Sequence, residues 1–110
     1  MPYGLKADTI AKINGVLAAH PEIEQAILYG SRAKGNCREG SDIDLCLAGE
    51  TLTLTQLLKI ENELDDLLLP YKIDLSLLHA LDNPDLADHI HRVGVVFYRS
   101  RSATEGHRAG

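Results

Sequence analysis

Gly30-Ser31-Arg32-Ala33-Lys34-Gly35-Asn36-Cys37-Arg38-Glu39-Gly40-Ser41-Asp42-Ile43-Asp44 is the stretch that decides how this 110-residue chain is read. It follows the apolar run Ala26-Ile27-Leu28-Tyr29, which has the pattern of a strand buried on both faces and is stopped by Gly30. After it, Ser41 to Ala48 alternates. Ile43, Leu45 and Leu47 fall on one face of a strand, and Asp42, Asp44 and Cys46 on the other. Between the strands lies a glycine-bearing basic loop in which Ser31 to Lys34 can form a single helical turn.

Outward from this centre the chain alternates helix and strand. Leu5 to Ala19 reads as a helix with Ile10, Ile13, Val16 and Leu17 on one stripe, ended by His20-Pro21. Thr51 to Leu69 reads as a second helix, with Leu54, Leu57, Leu58, Glu61, Leu64, Leu67 and Leu68 at three- and four-residue steps and Pro70 as its stop. Lys72 to Leu78 is a strand whose Ile73, Leu75 and Leu77 oppose Asp74 and Ser76. Asn83 caps a last helix to Val93 with Pro84 at its first position, and Val95 to Tyr98 forms a last strand. The expectation is an α/β domain over residues 1–99, a small mixed β-sheet flanked by helices, with residues 100–110 a disordered tail.

Composition narrows the function classes. The chain is 45% hydrophobic and 25% charged, with a net charge of -5, the balance of an ordinary globular domain. Its acidity argues against direct nucleic-acid binding, and 5% aromatics leave no broad stacking platform for bases. No apolar run approaches the length of a membrane span, and no basic-then-apolar leader opens the chain. Cys46 reads as a small core residue and Cys37 as a polar-loop residue, outside any C-x-x-C pattern. A reducing cytoplasm is the expected location.

The chemistry sits in the carboxylates. Asp42 and Asp44, two apart on a strand, project from one face about 6.7 Å apart along the backbone. Their repulsion calls for positive charge between them. Magnesium meets that need, taking a few carboxylates and completing its shell with water and nucleotide phosphate. Two such ions, roughly 3.5–4 Å apart, would clamp the attacking and leaving oxygens of an in-line displacement. Asp74 joins the pair if its strand lies beside theirs, either sharing a metal or accepting the proton of an attacking hydroxyl. Gly30 lets the backbone approach a phosphate, and Arg32, Lys34 and Arg38 concentrate positive charge beside the turn. Ser41 belongs with the same nucleotide-binding loop.

Each feature alone has a plainer reading. Asp-x-Asp is commonly solvent decoration, Gly-Ser a turn, and Asp74 a charge guarding an edge strand. The joint order and facing carry the inference. His89 and His91 lie two apart on a helix and point in different directions, and His20, His79 and His107 have no partners at ligand spacing. Glu61, Glu63, Asp65 and Asp66 read as the solvated side of the Leu-rich helix.

Gly30-Ser31, ten residues, then Asp42-Ile43-Asp44 resembles the signature of the DNA polymerase β-like nucleotidyltransferase superfamily. The wording Leu28-Tyr29-Gly30-Ser31-Arg32-Ala33-Lys34-Gly35 and Gly40-Ser41-Asp42-Ile43-Asp44-Leu45 is most similar to its minimal, MntA-type nucleotidyltransferases. The resemblance implies magnesium on Asp42 and Asp44, Asp74 as third carboxylate, and Gly30 and Ser31 on the nucleotide phosphates. It implies transfer of AMP from ATP to a hydroxyl with release of pyrophosphate. It further implies an antitoxin that adds AMP to a tyrosine of a HEPN-domain toxin, in a hetero-oligomer with it. Two other readings stay open here: a module that blocks the toxin by contact alone, and a small-molecule nucleotidyltransferase of the antibiotic-modifying kind.

Overall fold

The computed structural model describes residues 2–35 and 40–100. Four helices and four strands alternate in it. They are α1 (Ala7–Ala18), β1 (Gln25–Tyr29), α2 (Ser31–Lys34), β2 (Ile43–Ala48), α3 (Leu54–Asp65), β3 (Ile73–Leu77), α4 (Pro84–Val93) and β4 (Val95–Arg99). The strands form one mixed sheet in the order β3-β2-β1-β4. β1 pairs antiparallel with both β2 and β4, whereas β2 and β3 run parallel, joined by a crossover through α3. The expected small mixed sheet flanked by helices is therefore present.

One face of the sheet supplies the core. Ala26, Leu28, Ile43, Leu45, Leu47 and Phe97 pack there with Ile13 and Leu17 of α1 and Leu57, Ile60 and Leu64 of α3. On the other face α4 leans on β1: the His89 ring meets Tyr29 edge-on at 6.4 Å, and Cys46 is buried. The thiol is thus the core residue the strand alternation suggested.

Several boundaries move, each for a local reason. α3 starts at Leu54 because Thr53 builds a reciprocal cap. Gln56 N–H donates to Thr53 Oγ1 and Thr53 N–H to Gln56 Oε1, both at 3.2 Å. Thr53→Ala is expected to cost about 1 kcal/mol of stability, read as a lower urea midpoint at unchanged slope. At its other end α3 stops at Asp65, short of Leu69. Leu67 and Leu68 N–H donate back to the Leu64 and Asp65 carbonyls, and Leu68 turns left-handed at φ 55. The expected apolar stripe of α3 divides as well. Leu57, Ile60 and Leu64 are buried, while Leu54 and Leu58 face solvent. β2 begins at Ile43, so Asp42 precedes the strand instead of lying within it. α4 keeps the expected start, with Asn83 Oδ1 accepting from the Asp85 and Leu86 N–H groups at 3.0 and 3.3 Å.

Residues 101–110, the expected tail, lie outside the described residues, as do Cys37 and Arg38. Among the described residues no helix is long and apolar enough to cross a membrane.

Candidate functional site

Topology brings the motif together at one end of the sheet. Because β2 and β3 are parallel and β1 antiparallel to them, the starts of β2 and β3 meet the end of β1. The register makes this a row: Tyr29 stands opposite Asp44, and Asp44 opposite Asp74, on adjacent strands about 4.8 Å apart. Residues in register on neighbouring strands project from the same face. Ile43 N–H donates to the Lys72 carbonyl at 2.8 Å and locks the register beside the carboxylates. Asp74 therefore shares the face of Asp44, while Asp42 stands exposed one residue ahead of β2.

Burial pushes the Asp44 carboxyl above its ordinary value, and the charges of Asp74 and then Asp42 push it further. Asp74 adds to this by accepting a hydrogen bond from the protonated form. Lys72 Nζ lies 3.7 Å from Asp74 Oδ1, but both side chains are exposed and the pair is weak. Hard oxygen donors of this kind fit magnesium. Among the described residues no three acidic, histidine or cysteine side chains stand already drawn into a metal cage. Asp42 is exposed to solvent one residue ahead of β2.

The Gly30 turn abuts this cluster. Gly30 has φ 78 and ψ -156, and a Cβ there would lie 2.6 Å from Asp44 Oδ2. Only glycine allows the turn and the carboxylate to share the space. Ser31 opens α2 and is exposed, as is Lys34 at its end, so both can meet a ligand from solvent. Ser41 is half-buried and its carbonyl is taken by Arg32.

Arg32 departs from expectation. The loop composition suggested a phosphate cation, yet the side chain is 2% exposed and turned into the protein. Its Nε and Nη2 donate to the Ser41 carbonyl at 3.1 and 2.7 Å, and Nη1 to the Tyr3 carbonyl at 2.9 Å. Composition cannot separate a guanidinium facing solvent from one capping carbonyls, because the acceptors lie far along the chain.

Sequence reasoning also passed over the floor of the site. Tyr29 sits across from Asp44, and its hydroxyl is pushed above the usual phenol value by burial first, then by Asp44, Cys46 and Asp74. Ser76 partly offsets this. Ser76 Oγ is buried near both the Tyr29 hydroxyl and the Cys46 thiol, in good hydrogen-bond geometry with neither. The apolar-run reading of Ala26 to Tyr29 hid the polar end of Tyr29. His20, read as lacking a partner at ligand spacing, pairs with Glu63 at 2.6 Å across 43 residues, so Glu63 is no bystander on a solvated face. His79 Nε2 is bonded to the Leu52 carbonyl at 2.8 Å.

Comparison with known proteins agrees with the geometry. Residues 11–103 match the family described as "Polymerase beta, Nucleotidyltransferase". A Methanocaldococcus jannaschii protein named "Putative protein adenylyltransferase MJ1217" is 32% identical over 84 residues, 69% of this chain and 85% of that one. Among solved structures, a toxin–antitoxin complex with AMP-PNP matches with TM-score 0.68 at 22% identity, covering 87% of this chain and 77% of that one. A tri-AMPylated Shewanella oneidensis HEPN toxin in complex with MNT antitoxin matches with TM-score 0.65 at 19% identity, covering 92% and 78%. These two solved likenesses speak for the fold. With the family match spanning most of its length and a one-third-identical adenylyltransferase relative, the chain belongs to the polymerase β nucleotidyltransferase family.

Proposed function

We propose that this nucleotidyltransferase moves AMP from ATP onto a hydroxyl of a HEPN-domain partner protein, a tyrosine in that partner, and thereby acts in the cytoplasm as an antitoxin. The observation that carries the reading is the in-register pair Asp44 and Asp74, with Asp42 ahead of it and the Gly30 turn against it. The relative named as a protein adenylyltransferase supports the donor and the acceptor class, and the fold shared with a complex of an antitoxin and its AMPylated toxin supports the partner.

Asp42, Asp44 and Asp74 would hold magnesium, which when bound neutralises the triphosphate and polarises the α-phosphoryl group. The turn at Gly30 and Ser31 seats the phosphates through backbone N–H groups, with Lys34 as an exposed cation at the rim and Ser41 beside the carboxylates. The acceptor oxygen bonds to the α-phosphorus as the bond to pyrophosphate breaks, and pyrophosphate departs with the bonding electrons. The hydroxyl proton passes to a carboxylate oxygen of Asp74, which stands on the sheet's edge strand and is open to an incoming protein surface. The chain then works as one half of a hetero-oligomer, because the partner supplies the acceptor.

Co-expression separates catalysis from contact. The wild-type chain is expected to restore growth to cells carrying the toxin, and Asp42→Asn and Asp44→Asn to fail while still co-purifying with it. Full protection by both variants would show inhibition by binding alone.

A further inference from the structure

Arg32 carries a buried charge on α2, directly after the Gly30 turn. Its guanidinium carbon lies 4.9 Å from the centroid of the Tyr71 ring, two residues ahead of β3, and its nitrogens hold the carbonyls of Ser41 and Tyr3. A guanidinium taken out of water is costly unless its donors are met, and here carbonyls and a ring face help to meet them. The planar fork has fixed directions, so the bonds to Ser41 set a distance as well as an attraction. Three segments are fixed relative to α2: the N-terminal turn, the residue before Asp42, and the lead into β3.

We propose that Arg32 is a positioning residue, which through Ser41 fixes the backbone leading into Asp42 beside α2 and through Tyr71 fixes the approach to β3, which carries Asp74. It is not a phosphate contact. The inference rests on the nucleotidyl-transfer reading for its consequence, but its metal-binding readout stands apart from that reading. Lysine at this position keeps the charge and loses the fork, so it cannot hold both carbonyls and stack on Tyr71.

The test compares Arg32→Lys and Tyr71→Leu with the wild-type full chain. Manganese affinity is measured without nucleotide by electron paramagnetic resonance, and kcat and KM for ATP are measured with the partner present. Arg32→Lys is expected to weaken manganese binding about 10- to 100-fold, the scale for losing an outer-shell support. It should lower kcat by a similar factor while KM for ATP stays within about threefold. Tyr71→Leu leaves the arginine in place and is expected to shift both quantities the same way by less. If Arg32→Lys does not fold, Tyr71→Leu alone decides: unchanged manganese affinity and kcat overturn the proposal. A raised KM for ATP with kcat and manganese affinity unchanged would make Arg32 a phosphate ligand and overturn it too. If no protein in the set transfers AMP yet manganese binding still weakens in the variants, the functional reading falls and the positioning role stands.

Discussion

Asp44→Asn is expected to cut AMP transfer severely while making the metal-free protein harder to unfold. The loss in kcat should be about a hundredfold to a thousandfold, the scale of removing one preorganised electrostatic contact from a transition state. The gain in stability follows from the raised carboxyl pKa. In the unfolded chain Asp44 releases its proton at its ordinary value, whereas in the fold burial and the charges of Asp74 and Asp42 hold the proton to higher pH. The folded state binds more protons through that interval, so stability falls as pH rises across it. Above the interval an ionised Asp44 costs folding energy, and a neutral amide of the same shape does not. Magnesium, if held as proposed by the folded wild-type chain alone, is expected to reverse the ranking. Thermal unfolding at neutral pH with and without magnesium checks both signs: the Asp44→Asn protein melts higher without metal and gains little from it. The same proton competes with the metal, so wild-type activity is expected to fall on acidification from a pH above the usual aspartate range.

Gly30→Ala carries the second large effect. The backbone there, at φ 78 and ψ -156, lies in a region kept by glycine, and forcing alanine into it costs about 1–3 kcal/mol. The added methyl also points at Asp44 Oδ2 from 2.6 Å, so either the turn or the carboxylate must move. Activity should therefore drop by more than the stability loss explains. Gly35→Ala is the control. It shares a positive φ, 80, at the end of α2, but a Cβ there meets nothing within 4 Å. It is expected to cost about 1–2 kcal/mol in urea unfolding and to leave turnover close to wild type. Equal losses of turnover in the two variants would contradict the shared space of turn and carboxylate.

The fold was legible where periodicity spoke clearly. Alternation in β2 and β3 set Asp44 and Asp74 on the polar faces of their strands, and Asn83-Pro84 marked the start of α4. That the two strands are neighbours in register was beyond periodicity, because pairing is fixed by a crossover and not by local composition. The end of α3 is not legible from Pro70, because the helix stops earlier, where Leu68 N–H donates back to the Asp65 carbonyl and Leu68 itself turns left-handed. At the site, the motif gave the residue types, and distance along the chain hid their partners. Arg32 meets Tyr3 and Ser41, 29 and 9 residues away, so a basic loop residue became a buried clamp. His20 and Glu63 show the same thing across 43 residues.

Transfer of AMP from this site to a protein is what the proposed function requires. The most direct test is the intact mass of the partner that co-purifies with the chain, taken after incubation with ATP and magnesium. The expected result is a gain of one or more adenylyl units on the partner, mapping to a tyrosine and absent with Asp44→Asn. An unmodified partner in a tight complex, with the wild-type chain saturated in ATP and magnesium, would contradict it.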